Sequence, residues 1–308
     1  MMAGSGKRIA MTGATGFVGG ATLSAALAQG YAVQALTRRE QPPRDGVTWV
    51  RGALSDHAAL EAMCDGADAV LHIAGATNAP NRAGFEAGNV DAVLNMIAAA
   101  KACGVKRFVH VSSLAARRPQ LSIYGETKLA GERLVATSML DWTAVRPPAV
   151  YGPGDGEMLE LFKMARRGLV FLPPRGRFSA IHVDDLARLL VALIPAGEQC
   201  IGDIYEADDG VDGGWSHRSF ARAIGKAVGR SIETFSVPAP LLLAGGYIDR
   251  LVRRSGAKLT PDRARYFAHP DWTVDTGKRP PRALWTPQID TREGLAETAD
   301  WYRSEGWL

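Results

Sequence analysis

A glycine-rich turn near the N-terminus constrains the fold more than any other feature of this sequence. The segment MTGATGFVGG at 11–20 follows a short apolar run and leads into a run of helix-forming residues. Gly13 suits a tight turn after a strand, Gly16 lets a bound group approach the backbone, and Gly19 allows the helix to pack closely on the strand. Strand, glycine-rich turn and helix together predict the first βα unit of a dinucleotide-binding domain.

The start of this helix is the predicted phosphate site. Its free N–H groups and the positive end of its dipole favour an anion. The spacing G-x-x-G-x-x-G differs from the usual G-x-G-x-x-G, and the alternative is an ordinary strand-to-helix turn. We expect a dinucleotide to contact the turn and the first helical residues, namely Gly13, Thr15, Gly16, Phe17 and Val18.

Apolar strands alternate with helical segments through the first half of the chain. This alternation predicts βαβ units and a parallel sheet covered on both faces. Predicted strands after the first lie at 31–37, 47–50, 67–73, 107–111, 142–146 and 204–207, and predicted helices at 21–29, 56–64, 85–102, 124–137, 157–167 and 184–193. The fold class is therefore α/β, a doubly wound (Rossmann-type) parallel sheet with a smaller C-terminal lobe.

The regular alternation ends after Pro147-Pro148, where prolines become frequent. We predict a dinucleotide-binding domain over 1–150, to which 178–200 returns. Residues 151–177 and 201–308 form the predicted smaller substrate-binding lobe. No motif in that lobe identifies a substrate.

Composition excludes several classes of function. The net charge is only +4 with no lysine/arginine run, so we expect no nucleic-acid partner. Cys64, Cys103 and Cys200 are far apart and unpaired with histidine, which argues against disulfides and against a metal site and favours a reducing, cytoplasmic location. We expect no membrane span. We expect the helix around 241–252 to pack within the protein, and association with a bilayer surface is the alternative.

The end of the second strand bears on the choice of cofactor. An acidic residue there would bind the ribose of NAD, but this strand ends in Thr37-Arg38-Arg39. A guanidinium suits a 2′-phosphate, so the sequence favours NADP(H) over NAD(H), with Arg38 as the preferred contact. The alternative is that both arginines are surface residues. Asp56 could approach the adenine or equally cap the following helix.

A second constellation carries the predicted chemistry. In YGETK at 124–128, Tyr124 and Lys128 are four residues apart and share a helix face. A nearby ammonium would lower the pKa of the phenol, which could then act as an acid or base on a substrate oxygen. Ser112 and Ser113 end the strand 107–111, where a hydroxyl could orient that oxygen.

These motifs, in this order, resemble the extended short-chain dehydrogenases/reductases. The resemblance runs from Thr12 to about Asp185 and returns weakly near the C-terminus. It is carried by TGATGFVGG at 12–20, HIAGAT at 72–77, NVDAVLNMIAAAKACGVKRFVHVSS at 89–113, YGETK at 124–128, RPPAVYGPGD at 146–155 and HVDDLA at 182–187.

The resemblance implies a catalytic triad of Ser113, Tyr124 and Lys128, with Lys128 also holding the nicotinamide ribose. It implies further cofactor contacts from Ala74 and Gly75 in the phosphate–ribose channel and from the segment after Pro147 at the nicotinamide. It also implies a possible homodimer through the helices at 85–102 and 124–137. The second strand ends in Arg38-Arg39 and lacks the acidic residue found in the sugar-nucleotide epimerases. In this respect the sequence is more similar to the branch of dihydroflavonol reductases and 3β-hydroxysteroid dehydrogenases.

The leading hypothesis is an NADP(H)-dependent oxidoreductase that interconverts a secondary alcohol and a ketone or aldehyde in a small-molecule substrate. One alternative is an NAD(P)-dependent nucleotide-sugar epimerase or dehydratase, and another is a non-catalytic NADP(H)-binding sensor or scaffold. We expect His72 and His110 to be core or rim residues rather than catalytic bases. In HVDD at 182–185 we expect the acidic pair to cap a helix and help close the lobes rather than to bind metal.

Overall fold

A seven-stranded parallel sheet forms the centre of the molecule. The computed structural model describes residues 6–195, 197–253 and 259–308. The strands are β1 Arg8–Thr12, β2 Ala32–Thr37, β3 Val47–Arg51, β4 Ala69–His72, β5 Arg107–Val111, β6 Asp141–Val145 and β11 Asp203–Tyr205. Their order across the sheet is β11-β6-β5-β4-β1-β2-β3, and every pair is parallel. The predicted doubly wound α/β fold is confirmed, and the order reverses between β1 and β4, where ligands of such sheets bind.

Helices cover both faces of this sheet, as the continuous apolar strands require. The helices are α1 Phe17–Ala28, α2 His57–Cys64, α3 Arg82–Glu86, α4 Ala92–Ala102, α5 Ile123–Ala136 and α7 Val183–Ala192. One apolar cluster joins the sheet to α1 and α7, and a second joins it to α2 and α4. We predicted that residues 178–200 return to the first domain. In the structure the returning segment extends further, because β11 at Asp203–Tyr205 also belongs to the large sheet.

The helix predicted over 85–102 is not one regular α-helix. A π-helical segment, Ala87–Asp91, separates α3 from α4. A Cβ on Gly88 would lie 2.7 Å from the Cβ of Ala76, and one on Gly131 of α5 would lie 2.3 Å from the carbonyl oxygen of Asn89. The segment is therefore packed closely between the loop after β4 and α5, and π segments of this kind are frequent at functional sites.

A third apolar cluster forms the smaller lobe beyond the carboxyl ends of the large sheet's strands. Its helices are α6 Leu159–Arg166, α8 His217–Ala227, α9 Ala239–Arg253, α10 Pro261–Ala268 and α11 Thr291–Ser304. Its short strands pair as β10 Ala180–His182 with β7 Ala149–Tyr151, β13 Glu233–Ser236 with β8 Leu169–Leu172, and β9 Arg177–Phe178 with both β12 Trp215–Ser216 and β14 Asp271–Trp272. Across the described ranges, no helix is both long and apolar enough to cross a bilayer.

Candidate active site

The glycine-rich turn brings β1, α1 and the end of β4 into close contact. Gly13 has φ 77°, and a Cβ on it would lie 2.8 Å from the backbone nitrogen of Ala74. A Cβ on Gly19 would lie 1.8 Å from the carbonyl oxygen of Gly13. Gly16 is the N-cap residue of α1 and has no side chain with which to cap it. The first N–H groups of α1 are thus presented in a cradle that any larger residue at 13 or 19 would fill.

Thr12 holds the opposite wall of this cradle. Its hydroxyl accepts a hydrogen bond from the backbone N–H of Ala74 at 3.2 Å and lies 2.8 Å from Nδ1 of His72. These contacts place Ala74 and Gly75 across from Gly13. Thr12 was not predicted as a site residue, although it stands directly before the first glycine of the motif.

Three arginines lie at the edge formed by the ends of β2 and β3. Arg38 and Arg39 are exposed beyond β2. Arg51 is also exposed, and its backbone pairs with Thr37 at the end of β3. Asp56 accepts a hydrogen bond from the backbone N–H of Ala59 at 3.1 Å and so caps α2, which was the alternative to an adenine contact.

Ser113, Tyr124 and Lys128 converge at the carboxyl end of β5. Ser113 follows β5 and is buried, and Tyr124 lies in the first turn of α5, which Ser122 caps by accepting from the N–H of Gly125 at 3.0 Å. Ser113 lies close enough to the Tyr124 hydroxyl to lower its pKa. Lys128 Nζ donates to the carbonyl oxygen of Val111 at 2.7 Å.

Lys128 reaches from α5 across to the loop after β4. A Cβ on Gly75 would lie 3.4 Å from Lys128 Nζ and 3.0 Å from Oδ1 of Asn89. Asn89 both accepts from the N–H of Ala76 at 2.8 Å and donates to its carbonyl oxygen at 3.0 Å. Its amide also donates to Thr127 Oγ1 of α5 at 3.1 Å. Asn89 therefore joins the two walls of the crevice, a role that no spacing in the sequence indicated.

Burial controls the ionisation of Tyr124 and Lys128. It raises the pKa of Tyr124 above its ordinary value, and the nearby Ser113 offsets only part of this. It lowers the pKa of Lys128 to about 8, partly opposed by the carboxylate of Glu132. The expectation that Lys128 would lower the pKa of Tyr124 overall is therefore wrong for this structure, because loss of solvent outweighs the favourable contacts.

Two buried histidines lie behind Lys128. His72 and His110 are paired in register on β4 and β5 and stack with ring centroids 5.6 Å apart. Burial, reinforced by the charge of Lys128, lowers the pKa of His72 to about 3 and that of His110 well below its usual value. Both are neutral core residues, in agreement with the expectation.

An apolar cluster, called the apolar wall below, packs next to Tyr124. It consists of Leu114, Leu121, Phe178, Tyr266, Trp272 and Val274. Tyr266 on α10 stacks against Trp272 with centroids 4.5 Å apart. Asp262, also on α10, accepts from the backbone N–H of Ile123 at 3.0 Å, one residue before Tyr124. The smaller lobe thus places α10 against the start of α5, and apolar side chains lie next to Tyr124.

The segment after β6 closes the remaining side. The backbone N–H of Ser112 donates to the carbonyl oxygen of Val145 at 2.7 Å, and that of Leu114 donates to the carbonyl oxygen of Pro147 at 3.0 Å. Pro147 therefore runs alongside Ser113.

The HVDD segment plays a different part from the one predicted. The cap of α7 is the side chain of His182, whose Nδ1 accepts from the N–H of Asp184 at 3.2 Å, while Asp184 itself is exposed. Asp185 is buried and accepts from the backbone N–H groups of Gln288 and Ile289 at 3.1 Å. The prediction that the acidic pair caps α7 is therefore wrong, but Asp185 does connect α7 to the C-terminal segment at Gln288 and Ile289. Within the described ranges, no group of His, Cys, Asp or Glu could hold a metal ion.

Fold and site together indicate an NAD(P)-binding enzyme with a hydroxyl, a phenol and an ammonium group at the carboxyl end of β5. Residues 9–207 match the model of the NAD dependent epimerase/dehydratase family. The chain belongs to this family, within the extended short-chain dehydrogenases/reductases.

Two relatives are reductases. The chain is 36% identical to a ceramide reductase from Caulobacter vibrioides over 97% of this chain and 96% of that protein. It is 31% identical to a 2-alkyl-3-oxoalkanoate reductase from Stenotrophomonas maltophilia over 66% of this chain and 71% of that protein.

A solved structure of MoeE5 in complex with UDP-glucuronic acid and NAD superposes with a TM-score of 0.75. It is 23% identical and covers 97% of this chain and 100% of the other. At this identity the likeness concerns the fold alone.

Proposed function

We propose that this protein reduces the keto group of a long-chain lipid of the ceramide or 3-oxoalkanoate type, with NADPH as the preferred donor. The observation that carries the proposal is the apolar wall next to Ser113 and Tyr124. An alkyl chain suits such a wall. The names of the two reductase relatives point to the same substrate chemistry.

The residues present fit a dinucleotide. The cradle at Gly13 and Gly19 and the uncapped start of α1 suit a diphosphate, which Thr15, Gly16, Phe17 and Val18 would contact. Ala74, Gly75 and Lys128 would hold the nicotinamide ribose, and Pro147 would border the ring. When bound, the reduced nicotinamide supplies a hydride to the carbonyl carbon of the substrate.

The protein's own residues would supply position and a proton. Ser113 donates a hydrogen bond to the carbonyl oxygen and holds it beside Tyr124. Tyr124 transfers its phenolic proton to that oxygen as the C–H bond forms, so ketone, reduced cofactor and one proton become alcohol and oxidised cofactor. Lys128 stabilises the phenolate left on Tyr124, which then regains a proton from solvent. A phenol whose pKa is raised by burial stays protonated near neutral pH and suits this acid role.

Arg38 is the proposed partner of the cofactor's 2′-phosphate, because it is exposed at the end of β2 and offers a bidentate donor. Arg38→Ser should weaken NADPH binding by about tenfold or more and change NADH binding by less than about threefold, as measured by fluorescence titration. Arg44→Ser, which removes an exposed arginine bonded to Ser24 on α1, is the matched control. Equal losses for both cofactors in Arg38→Ser would contradict the assignment.

The substrate class is tested by following NADPH oxidation in dilute detergent. A 3-oxo-ceramide should be turned over with kcat/KM at least about a hundredfold above that of a short water-soluble β-keto ester, because the alkyl chain gains burial against the wall. UDP-glucose should be neither epimerised nor dehydrated. Turnover of the nucleotide sugar without turnover of the keto lipid would refute the proposal in favour of the epimerase alternative.

We also propose a homodimer through α4 and α5 and a cytoplasmic location. The first rests on the family resemblance, and the second on Cys64, Cys103 and Cys200, all of which are free thiols. Size-exclusion chromatography with light scattering tests the first.

A further inference from the structure

The helix α9 is apolar on its exposed side as well as on the side that packs on α10. Gly246 is buried, and a Cβ on it would lie 3.0 Å from the backbone nitrogen of Pro261 at the start of α10. At about 100° per residue, Leu241, Ile248, Leu251 and Tyr247 form a stripe about 120° wide whose centre lies about 160° from Gly246. These four side chains are 63%, 62%, 80% and 59% exposed, respectively. A surface helix normally turns polar residues outward, so this stripe is built to meet an apolar environment.

A second exposed apolar surface leads directly into α9. Leu169 and Phe171 of β8 face outward while Val170 and Leu172 face the core. Phe235 of β13 pairs with Phe171 in register, and the two exposed rings have centroids 6.3 Å apart. Only residues 237 and 238 separate β13 from α9, a span of at most about 7 Å. Among the described residues, seven of the twelve exposed large apolar side chains lie on β8, β13 and α9.

Basic side chains border this surface. Arg166 and Arg167 are exposed just before β8, and Arg230 is exposed before β13. Because β8 and β13 are parallel, these arginines lie at the same edge of the pair. One exposed carboxylate, Glu233, lies on the outer face among them. Three cations against one anion at the start of the exposed β8–β13 face complement the anionic surface of a phospholipid bilayer.

The surface lies one helix away from the proposed catalytic residues. α9 packs on α10, which bonds the start of α5 through Asp262 and contributes Tyr266 to the apolar wall. A lipid leaving a bilayer held against α9 would therefore enter the lobe next to Tyr124.

We infer that α9 and the β8–β13 face, defined here as the docking surface, hold the enzyme on an anionic phospholipid bilayer from which it takes its substrate. The inference rests on the proposed function for its substrate class. Tyr247, at the edge of the stripe, suits the level of the lipid headgroups.

Vesicle flotation with the full-length protein tests the docking surface. The wild type should float with vesicles of phosphatidylcholine containing about 30% phosphatidylglycerol, and raising the salt should release it. Ile248→Asn/Leu251→Asn should reduce the bound fraction about tenfold or more, and Phe171→Ser/Phe235→Ser should act in the same direction. Met139→Asn/Ile201→Asn removes two exposed apolar side chains outside the surface and should bind like the wild type.

Activity separates this inference from the proposed function. Reduction of a detergent-dispersed keto lipid should be the same in wild type and Ile248→Asn/Leu251→Asn, whereas reduction of vesicle-borne keto lipid should fall about tenfold in the variant. A wild type that reduces the dispersed lipid but never floats with vesicles overturns the docking surface and leaves the function standing. Flotation that depends on α9 without any lipid reduction supports the docking surface and refutes the function. A wild-type dimer that these substitutions split, with no vesicle binding, would assign α9 to a second copy of the chain instead.

Discussion

At the scale of single residues, Tyr124 carries the chemical proposal. In the proposed mechanism its hydroxyl, which lies next to Ser113, passes a proton to the substrate oxygen. Tyr124→Phe should lower kcat by about 10²- to 10⁴-fold while leaving the Kd for NADPH within about twofold. Tyr205→Phe, which removes a hydroxyl bonded to Asp203 far from the crevice, is the matched control. A Tyr124→Phe enzyme with near-normal kcat would exclude the phenol as proton donor.

The same residue sets the expected pH dependence. In ketone reduction Tyr124 must be protonated, and burial raises its pKa, so kcat/KM should be flat from about pH 6 to 8 and fall only at more alkaline pH. Oxidation of the alcohol needs the phenolate and should instead increase with pH over that range.

Lys128 adds a separate pH effect on cofactor binding. Its pKa of about 8 means that its charge is present below pH 8 and is lost above it, so the Kd for NADPH should rise there. In Lys128→Arg the charge should remain above pH 8, because a guanidinium does not deprotonate there. The Kd for NADPH should therefore not rise with pH in this variant. Binding of NADPH that is equally pH-dependent in both proteins would assign the effect to another group.

At the scale of elements, α10 determines how the smaller lobe meets α5. Asp262 accepts from the N–H of Ile123 with both carboxylate oxygens, at 3.0 and 3.2 Å. Asp262→Ala should cost about 1 kcal/mol of stability and raise KM for the keto substrate severalfold, with the Kd for NADPH unchanged. Asp290→Ala removes the corresponding cap of α11, where Asp290 accepts from the N–H of Arg292 at 2.8 Å, and should cost similar stability without the change in KM. Equal KM values in the two variants would show that α10 does not shape the substrate pocket.

The elements also show why some of the site was predictable from sequence. The strand–turn–helix at Gly13–Gly19 and the four-residue spacing of Tyr124 and Lys128 are local patterns, so their placement follows from periodicity. The π segment at Ala87–Asp91 packs against Ala76 and α5, and the periodicity of the sequence does not indicate these contacts. Asp262 is 139 residues from its partner Ile123, and the pKa of Tyr124 depends on how completely the lobes bury it. No local sequence pattern indicates such long-range contacts.

At the scale of the whole molecule, a buried ion network ties the two lobes together. Arg146, after β6, donates to both carboxylate oxygens of Glu132 on α5 at 2.6 and 2.8 Å, and lies 3.3 Å from Glu206. Glu206, after β11, also pairs with Arg117 at 3.3 Å and accepts from the N–H of Asp275 at 2.8 Å. The network therefore joins the large sheet, the helix α5 that bears Tyr124 and the C-terminal segment at Asp275.

Removing one charge from this network should be costly, because its partners remain buried. Glu206 is fully buried, so Glu206→Gln would leave Arg117 and Arg146 with one carboxylate fewer and should lower the free energy of unfolding by about 3 kcal/mol. Glu126→Gln, at an exposed pair with Arg82 whose side chains are each about half exposed, should cost less than about 1 kcal/mol. Urea unfolding followed by circular dichroism measures both. If Glu206→Gln costs no more than Glu126→Gln, the network contributes little to stability, and the lobes are held together by the apolar contacts and the backbone hydrogen bonds to Asp185 instead.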